Sequence, residues 1–272
     1  MVIREVSDGS TYVSTQEEHA ELSAQFAAHW GNAKFAQLQP YDTMVFATTY
    51  HDSGYREWEG LPRMNVEKGR PYGHRETIPE FEATELTAYR RNVDWVRGHD
   101  LYAGMLVSMH RTGLWRGRYE VLTNPKPRIR ELSPGAKGAL AELENQQQQD
   151  KVSLASGKHM FDEELWINYR MLQLFDLLSL YFCCDGYGEN GFKEERLAPI
   201  PSGYAPDSST ELHITPNTNG SVKITPYPFD VAPLQVSVRA RLVQPGQYTT
   251  EADCRAAYYK TSANLLHFTI TD

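Results

Sequence analysis

Along residues 1–15, apolar and polar positions alternate in MVIREV, a turn signal follows in SDGS, and TYV can pair back, which predicts a short β-hairpin. The period then changes. In STQEEHAELSAQFAAHWG, Leu22, Phe26 and Trp30 recur every four residues, Ser14 or Thr15 can cap the start, and Gly31 follows the end. His19 shares that apolar face, three residues before Leu22. A second helix is expected over 41–52, with Gly54 turning the chain just after it, and helical spacing returns over 79–97 and 100–115. Residues 61–76 are rich in Pro and Gly and read as loop. Residues 124–158 hold a helix with a polar tail, ENQQQQDK, read as a solvated helix end or mobile loop with no chemistry in it. DEELWINYRMLQLFDLLSLYFCC (162–184) carries acidic residues in its first turn and apolar positions nearly all round, as a central helix does.

After DGYGENG the runs become short and alternating: ELHIT, SVKIT, LQVSVRARLV and LLHFTIT, the first two joined by the turn-rich PNTNG. The chain therefore reads as α+β with segregated elements. A mainly helical domain over 1–190 includes the N-terminal hairpin, and an antiparallel β-rich portion over 191–272 packs on it, with the hairpin as a candidate to join that portion.

Composition narrows the function classes. The 272 residues carry a net charge of -8, with 40% apolar and 23% charged residues, ordinary values for a soluble domain. Lys and Arg are scattered rather than clustered, which argues against a nucleic-acid binder but leaves small anionic substrates open. Cys183, Cys184 and Cys254 form neither a disulfide framework nor a zinc-type spacing. The N-terminus lacks the pattern of a secretion signal, and MLQLFDLLSLYFCC is too short, and interrupted by Asp176, to span a bilayer. A soluble, cytoplasmic protein with no membrane partner is expected.

Asp176 is the most physically loaded position, a carboxylate among Leu174, Phe175, Leu177 and Leu178. Burying it requires an arginine, a neighbouring helix to cap, or a metal. His19, His110 and the pair His51-Asp52 each have an ordinary explanation taken singly: a satisfied core histidine, a dipole contact, a turn-forming Asp. Taken in order, each on a separate helix, they form a set whose nitrogens and oxygens suit Zn, Mn or Fe.

That order, His … His-Asp … His … Asp, resembles the HD-domain superfamily of metal-dependent phosphohydrolases. More closely, the chain resembles an uncharacterised, mainly bacterial domain-of-unknown-function family in QEEHAELSAQFAAHWG (16–31), HDSGYREWEG (51–60), LVSMHRTGL (106–114) and LQLFDLLSLYFC (172–183). Tyr55 stands where that family usually has Trp after HDxG. The resemblance implies an HD-domain-like helical bundle with one or two divalent ions held by His19, His51, Asp52 and Asp176. It implies His110 as a further ligand, to a second ion or to the substrate. The implied reaction is hydrolysis of a small, anionic phosphorylated or nucleotide-like molecule, with Asp52 orienting the attacking hydroxide and Arg111 a candidate to hold a phosphate oxygen. A di-iron oxygenase of the same scaffold and a non-catalytic metal- or ligand-binding protein are the other readings. Tyr50, Tyr55 and Trp58 are candidates to wall the pocket, and Gln16 and Gln173, three residues before ligands, to support it. His99-Asp100 and His29 fall outside the pattern.

Overall fold

In the computed structural model, which describes residues 1–76, 81–117, 131–156, 161–188, 191–205 and 207–272, the first alternating stretch is a hairpin of β1 (Val2–Glu5) and β2 (Thr11–Ser14). Thr15 ends it and opens α1 (Gln16–Ala28) by a reciprocal pair of bonds. Its hydroxyl accepts from the Glu18 N–H, and the Glu18 carboxylate accepts from the Thr15 N–H.

Helix α2 (Tyr41–Tyr50) stops sooner than its apolar pattern predicts. His51 is its C-cap, and Asp52 begins a single 3-10 turn that leads into α3 (Arg56–Gly60). Gly54 in that turn has an ordinary backbone conformation. Its requirement is space, because a Cβ there would run into the carbonyl of Ala88 on a facing helix. The Pro- and Gly-rich stretch is not all loop: β3 (Met64–Asn65) and β4 (Arg70–Pro71) pair across it.

Helices α4 (Phe81–His99) and α5 (Leu101–Arg116) meet at Asp100, whose side chain caps α5 by accepting from the Ala103 N–H. The start expected at 79–80 lies outside the described residues, as do 124–130 and 157–158 of the next helix. Within them, α6 (Pro134–Ala155) corrects the reading of the Gln run. That run lies within the helix instead of at its end, and Gln147 docks on α5, donating to Ser108 and Thr112 at 2.8 and 3.2 Å. Asp150 is buried and takes two bonds from Arg97, at 2.8 and 2.7 Å. Gln148 and Gln149 are exposed, as a solvated run is, and the difference lies in Gln147, whose hydrogen bonds are made to a neighbouring helix.

Helix α7 (Phe161–Leu180) continues as a π-helical turn, Tyr181–Asp185. After it come β5 (Tyr187–Gly188), β6 (Gly191–Phe192), β7 (Glu195–Pro201), β8 (Ser209–Pro216), β9 (Val222–Thr225) and β10 (Leu234–Val243). Then α8 (Glu251–Lys260), a helix absent from the sequence reading, precedes β11 (Ala263–Thr271). Its signal was present: Thr250 caps it by accepting from the Asp253 N–H, a Thr-x-x-Asp start hidden by strand-like surroundings.

The architecture is α+β, with a helical part and a β-rich C-terminal part. Among the described residues, seven strands form one sheet in the order β1-β2-β10-β11-β9-β8-β7, so the N-terminal hairpin completes the C-terminal sheet. The junction is antiparallel, with Val13 opposite Arg241, while β11 and β9 run parallel. Along β10, Leu234, Val236, Val238 and Ala240 alternate inward, as the period-two pattern requires. One apolar cluster joins this face to the helices: Phe26 of α1 lies 5.6 Å from Phe182, which lies 5.1 Å from Phe268 of β11. Each such fully buried side chain contributes about 1.5–3 kcal/mol. Helix α1 is thereby held between β10 on one side and α2 and α7 on the other. Among the described residues no helix is long and apolar enough to cross a membrane.

Candidate metal centre

Four helices bring their polar residues to one buried point. Helix α1 supplies His19, its first turn set by the Thr15 cap; the end of α2 supplies His51 and Asp52; α5 supplies His110 and Arg111; α7 supplies Asp176. His19, His51, Asp52, His110 and Asp176 are each at most 4% exposed. Water therefore does little for their charges, and they must satisfy one another.

The His19 Nε2 lies 2.9 Å from Asp52 Oδ2, and its Nδ1 lies 3.0 Å from the Ser179 hydroxyl. His51 Nδ1 lies 2.7 Å from the backbone carbonyl of Thr48. A carbonyl only accepts, so this nitrogen carries a proton, and the Nε2 of the same ring faces Asp176 Oδ1, 3.4 Å away. Asp176 also lies 3.8 Å from His19 Nδ1 and, through Oδ2, 3.9 Å from His110 Nε2. The His19 and His110 rings stand edge-on to His51, both at 5.2 Å between centres.

Arg111 does not lie on the surface. It is fully buried, pairs with Asp52 Oδ1, donates to the His51 carbonyl, and packs 4.7 Å from the Tyr89 ring and 5.5 Å from Tyr55. With neutral rings the centre holds two carboxylates against one guanidinium, a net charge of one negative unit. Burial pushes the His19 and His110 rings down to about 3. For Asp176 burial acts upward, but the hydrogen bond with His51 and the surrounding imidazoles outweigh it and hold the carboxyl below its usual range.

These residues fit a divalent ion. His19, His51 and Asp176 form one donor set and His51, Asp52 and His110 another, with the donor atoms of each set within 4.8 Å of one another. Tetrahedral ligands at 2.0–2.2 Å from zinc stand about 3.4 Å apart, close to the 3.4–3.9 Å separating Asp176 from the three imidazoles. Nitrogen and carboxylate donors of this kind suit Zn, Mn or Fe.

The supports were less visible in sequence than the donors. Asn92 of α4 is buried; its amide donates to the His51 carbonyl, and its oxygen accepts from Ser53 Oγ at 2.6 Å and the Gly54 N–H at 3.1 Å. Nothing in its local sequence marks it. Ser179 lies three residues after Asp176, a helical spacing that could have found it. Of the two expected supporting amides, Gln173 donates to Tyr169 at 2.9 Å, and the Gln16 backbone N–H donates to Glu59 at 2.8 Å. Tyr55 is buried beside Tyr89, whereas Tyr50 stacks outward with Phe46 and Trp95. His29 faces Asp230 near the surface, and exposed His99 bonds the Trp95 carbonyl, both away from the centre.

Fold and centre together define an α+β protein with a buried His/Asp donor cluster at the meeting of four helices. The chain belongs to the family described as protein of unknown function (DUF3891), whose model matches residues 1–245 and so includes every one of these donors. No curated protein and no solved structure matches it.

Proposed function

We propose that this chain is a metal-dependent phosphohydrolase acting on a small, anionic phosphorylated or nucleotide-like molecule. The observation that carries the reading is the convergence of His51 Nε2 and the Asp176 carboxylate, 3.4 Å apart, with further His and Asp donors inside a buried, water-poor centre. A cation satisfies both groups at once. The order of His19, His51-Asp52 and Asp176 along the chain, similar to that of the HD-domain superfamily, supports the same reaction class.

When bound, a divalent ion lowers the pKa of water toward neutrality and offsets charge on a phosphoryl oxygen. The protein's residues prepare for that in distinct ways. His51, Asp176 and His19 would hold the ion, and the Thr48 carbonyl, taking the proton of His51 Nδ1, leaves the Nε2 of that ring facing inward. Asp52 would accept and orient the proton of the attacking water, while Arg111 keeps that carboxylate ionised and aligned. His110, on the other side of Asp176, would meet a second ion or the substrate.

Zinc- or manganese-loaded protein is expected to hydrolyse p-nitrophenyl phosphate or nucleotides, and His51→Ala and Asp176→Ala to lose both the ion and turnover while staying folded. Full turnover in His51→Ala would overturn the assignment. The two donor sets share His51, which favours one other reading, a two-iron centre that carries out O₂-dependent oxidation. An electron paramagnetic signal from iron, together with O₂ consumption and no ester hydrolysis, would select it.

A further inference from the structure

Asp52 already has a cation of the chain's own. The Arg111 guanidinium pairs with its Oδ1, and His19 Nε2 stands 2.9 Å from its Oδ2, so both oxygens of this carboxylate are engaged. The guanidinium is held in that place by several elements. It donates to the His51 carbonyl, and the rings of Tyr89 and Tyr55 lie 4.7 and 5.5 Å from it. Tyr89 is fixed in turn on α4, its hydroxyl donating to Glu85 at 2.7 Å. Arg111 is 2% exposed, and both tyrosines are buried with it.

Asp176, the other carboxylate of the centre, faces imidazoles: His51 Nε2 at 3.4 Å, His19 Nδ1 at 3.8 Å and His110 Nε2 at 3.9 Å. The two donor sets therefore differ. The set of His19, His51 and Asp176 has its carboxylate among imidazoles, whereas the set of His51, Asp52 and His110 has the one that Arg111 neutralises. An ion that displaced the guanidinium from Asp52 would leave a buried positive charge without its partner, which is strongly unfavourable. An ion that joined it there would add to the charge. With neutral rings, two carboxylates and one guanidinium carry one negative unit. One divalent ion turns that into one positive unit, and two ions into three, in a centre where water screens little.

We propose that Arg111 takes the place of a second ion, so that the centre binds a single divalent ion on its Asp176 side and Arg111 sets that number. The inference rests on the metal site of the hydrolase reading above, and it counts against the two-iron alternative.

Elemental analysis of zinc-saturated, gel-filtered protein tests this. The wild type is expected to hold about one zinc ion per chain. Arg111→Gln leaves the Asp52 charge without its guanidinium and is expected to hold about two, the second ion supplying the missing compensation. Asp52→Asn combined with Arg111→Gln removes both members of the pair and should return the count to about one. Manganese-loaded wild type gives a readout that does not depend on a variant folding: at saturation its electron paramagnetic spectrum should be that of isolated ions, without the spin coupling of a neighbouring pair. Two zinc ions per wild-type chain, a spin-coupled manganese pair, or an unchanged count in folded Arg111→Gln would each overturn the proposal. If the wild type holds two ions and hydrolyses esters, this inference fails and the hydrolase reading stands. If it holds one ion, gains a second in Arg111→Gln and turns over no ester, the reverse holds.

Discussion

Asp52 is placed between two partners of different kinds, His19 at 2.9 Å and the Arg111 guanidinium, and both ion-pair partners, Asp52 and Arg111, are buried. A pair this deep adds little compared with an apolar replacement of both, but removing one member leaves the other charge without compensation. Arg111→Met is therefore expected to destabilise the metal-free protein by about 3–5 kcal/mol. Asp52→Asn combined with Arg111→Met should regain much of the loss, a coupling that urea unfolding of the four proteins would measure. Strictly additive losses would show that the two side chains act independently. Asp176 illustrates what single residues reveal in sequence: a carboxylate among leucines announces a burial problem, and the structure answers it with three imidazoles. Arg111 announces nothing, because an arginine near a helix end has the same local sequence whether it faces water or Asp52.

Between the elements, the turn after α2 does the positioning. His51 and Asp52 leave the helix together, and their geometry depends on α4, whose Asn92 binds the His51 carbonyl, Ser53 and Gly54 at once, while Gly54 admits the α4 backbone by lacking a Cβ. Asn92→Ala is expected to lower metal affinity about 10–100-fold, the usual effect of losing a group that orients ligands. Competition with a chromogenic chelator would read this directly, and an unchanged affinity would show that the turn holds without α4. The helices were legible because each carries its own period and caps, as in the Thr15–Glu18 pair. The sheet order was not, since β2 pairs with β10 more than two hundred residues away and no local pattern encodes such a partner. The same limit explains the docked Gln147 and the hidden α8: their surroundings in sequence resemble solvent-facing tail and strand, and only long-range contacts decide otherwise.

For the whole molecule, the buried histidines make acid the point of weakness. His19, His74 and His110 are each held near 3 in the fold, below the ordinary value of 6.5 to which an unfolded chain returns them. The unfolded state therefore binds more protons than the folded state below pH 6.5, so stability falls as pH drops from about 6.5 toward 3, by about 1.4 kcal/mol per pH unit for each ring. Glu76 adds a later loss of the same sign. Burial raises its carboxyl, but Arg70, Gly73 and Lys68 bring it down to about 2, so its contribution is complete above the ordinary 4.5 and disappears between there and 2. A divalent ion held at the proposed centre would oppose the first loss, because it would occupy His19 and His110 in place of protons. It would stabilise the fold by RT ln(1 + [L]/Kd), about 2.7 kcal/mol at a hundredfold excess over Kd. Melting curves from pH 8 to 5 should accordingly separate: the chelator-treated protein loses stability steadily from about pH 6.5, and the zinc-loaded protein holds its melting temperature to lower pH before the two converge. Coincident curves with and without zinc over the whole range would mean that no ion occupies the centre in the folded state.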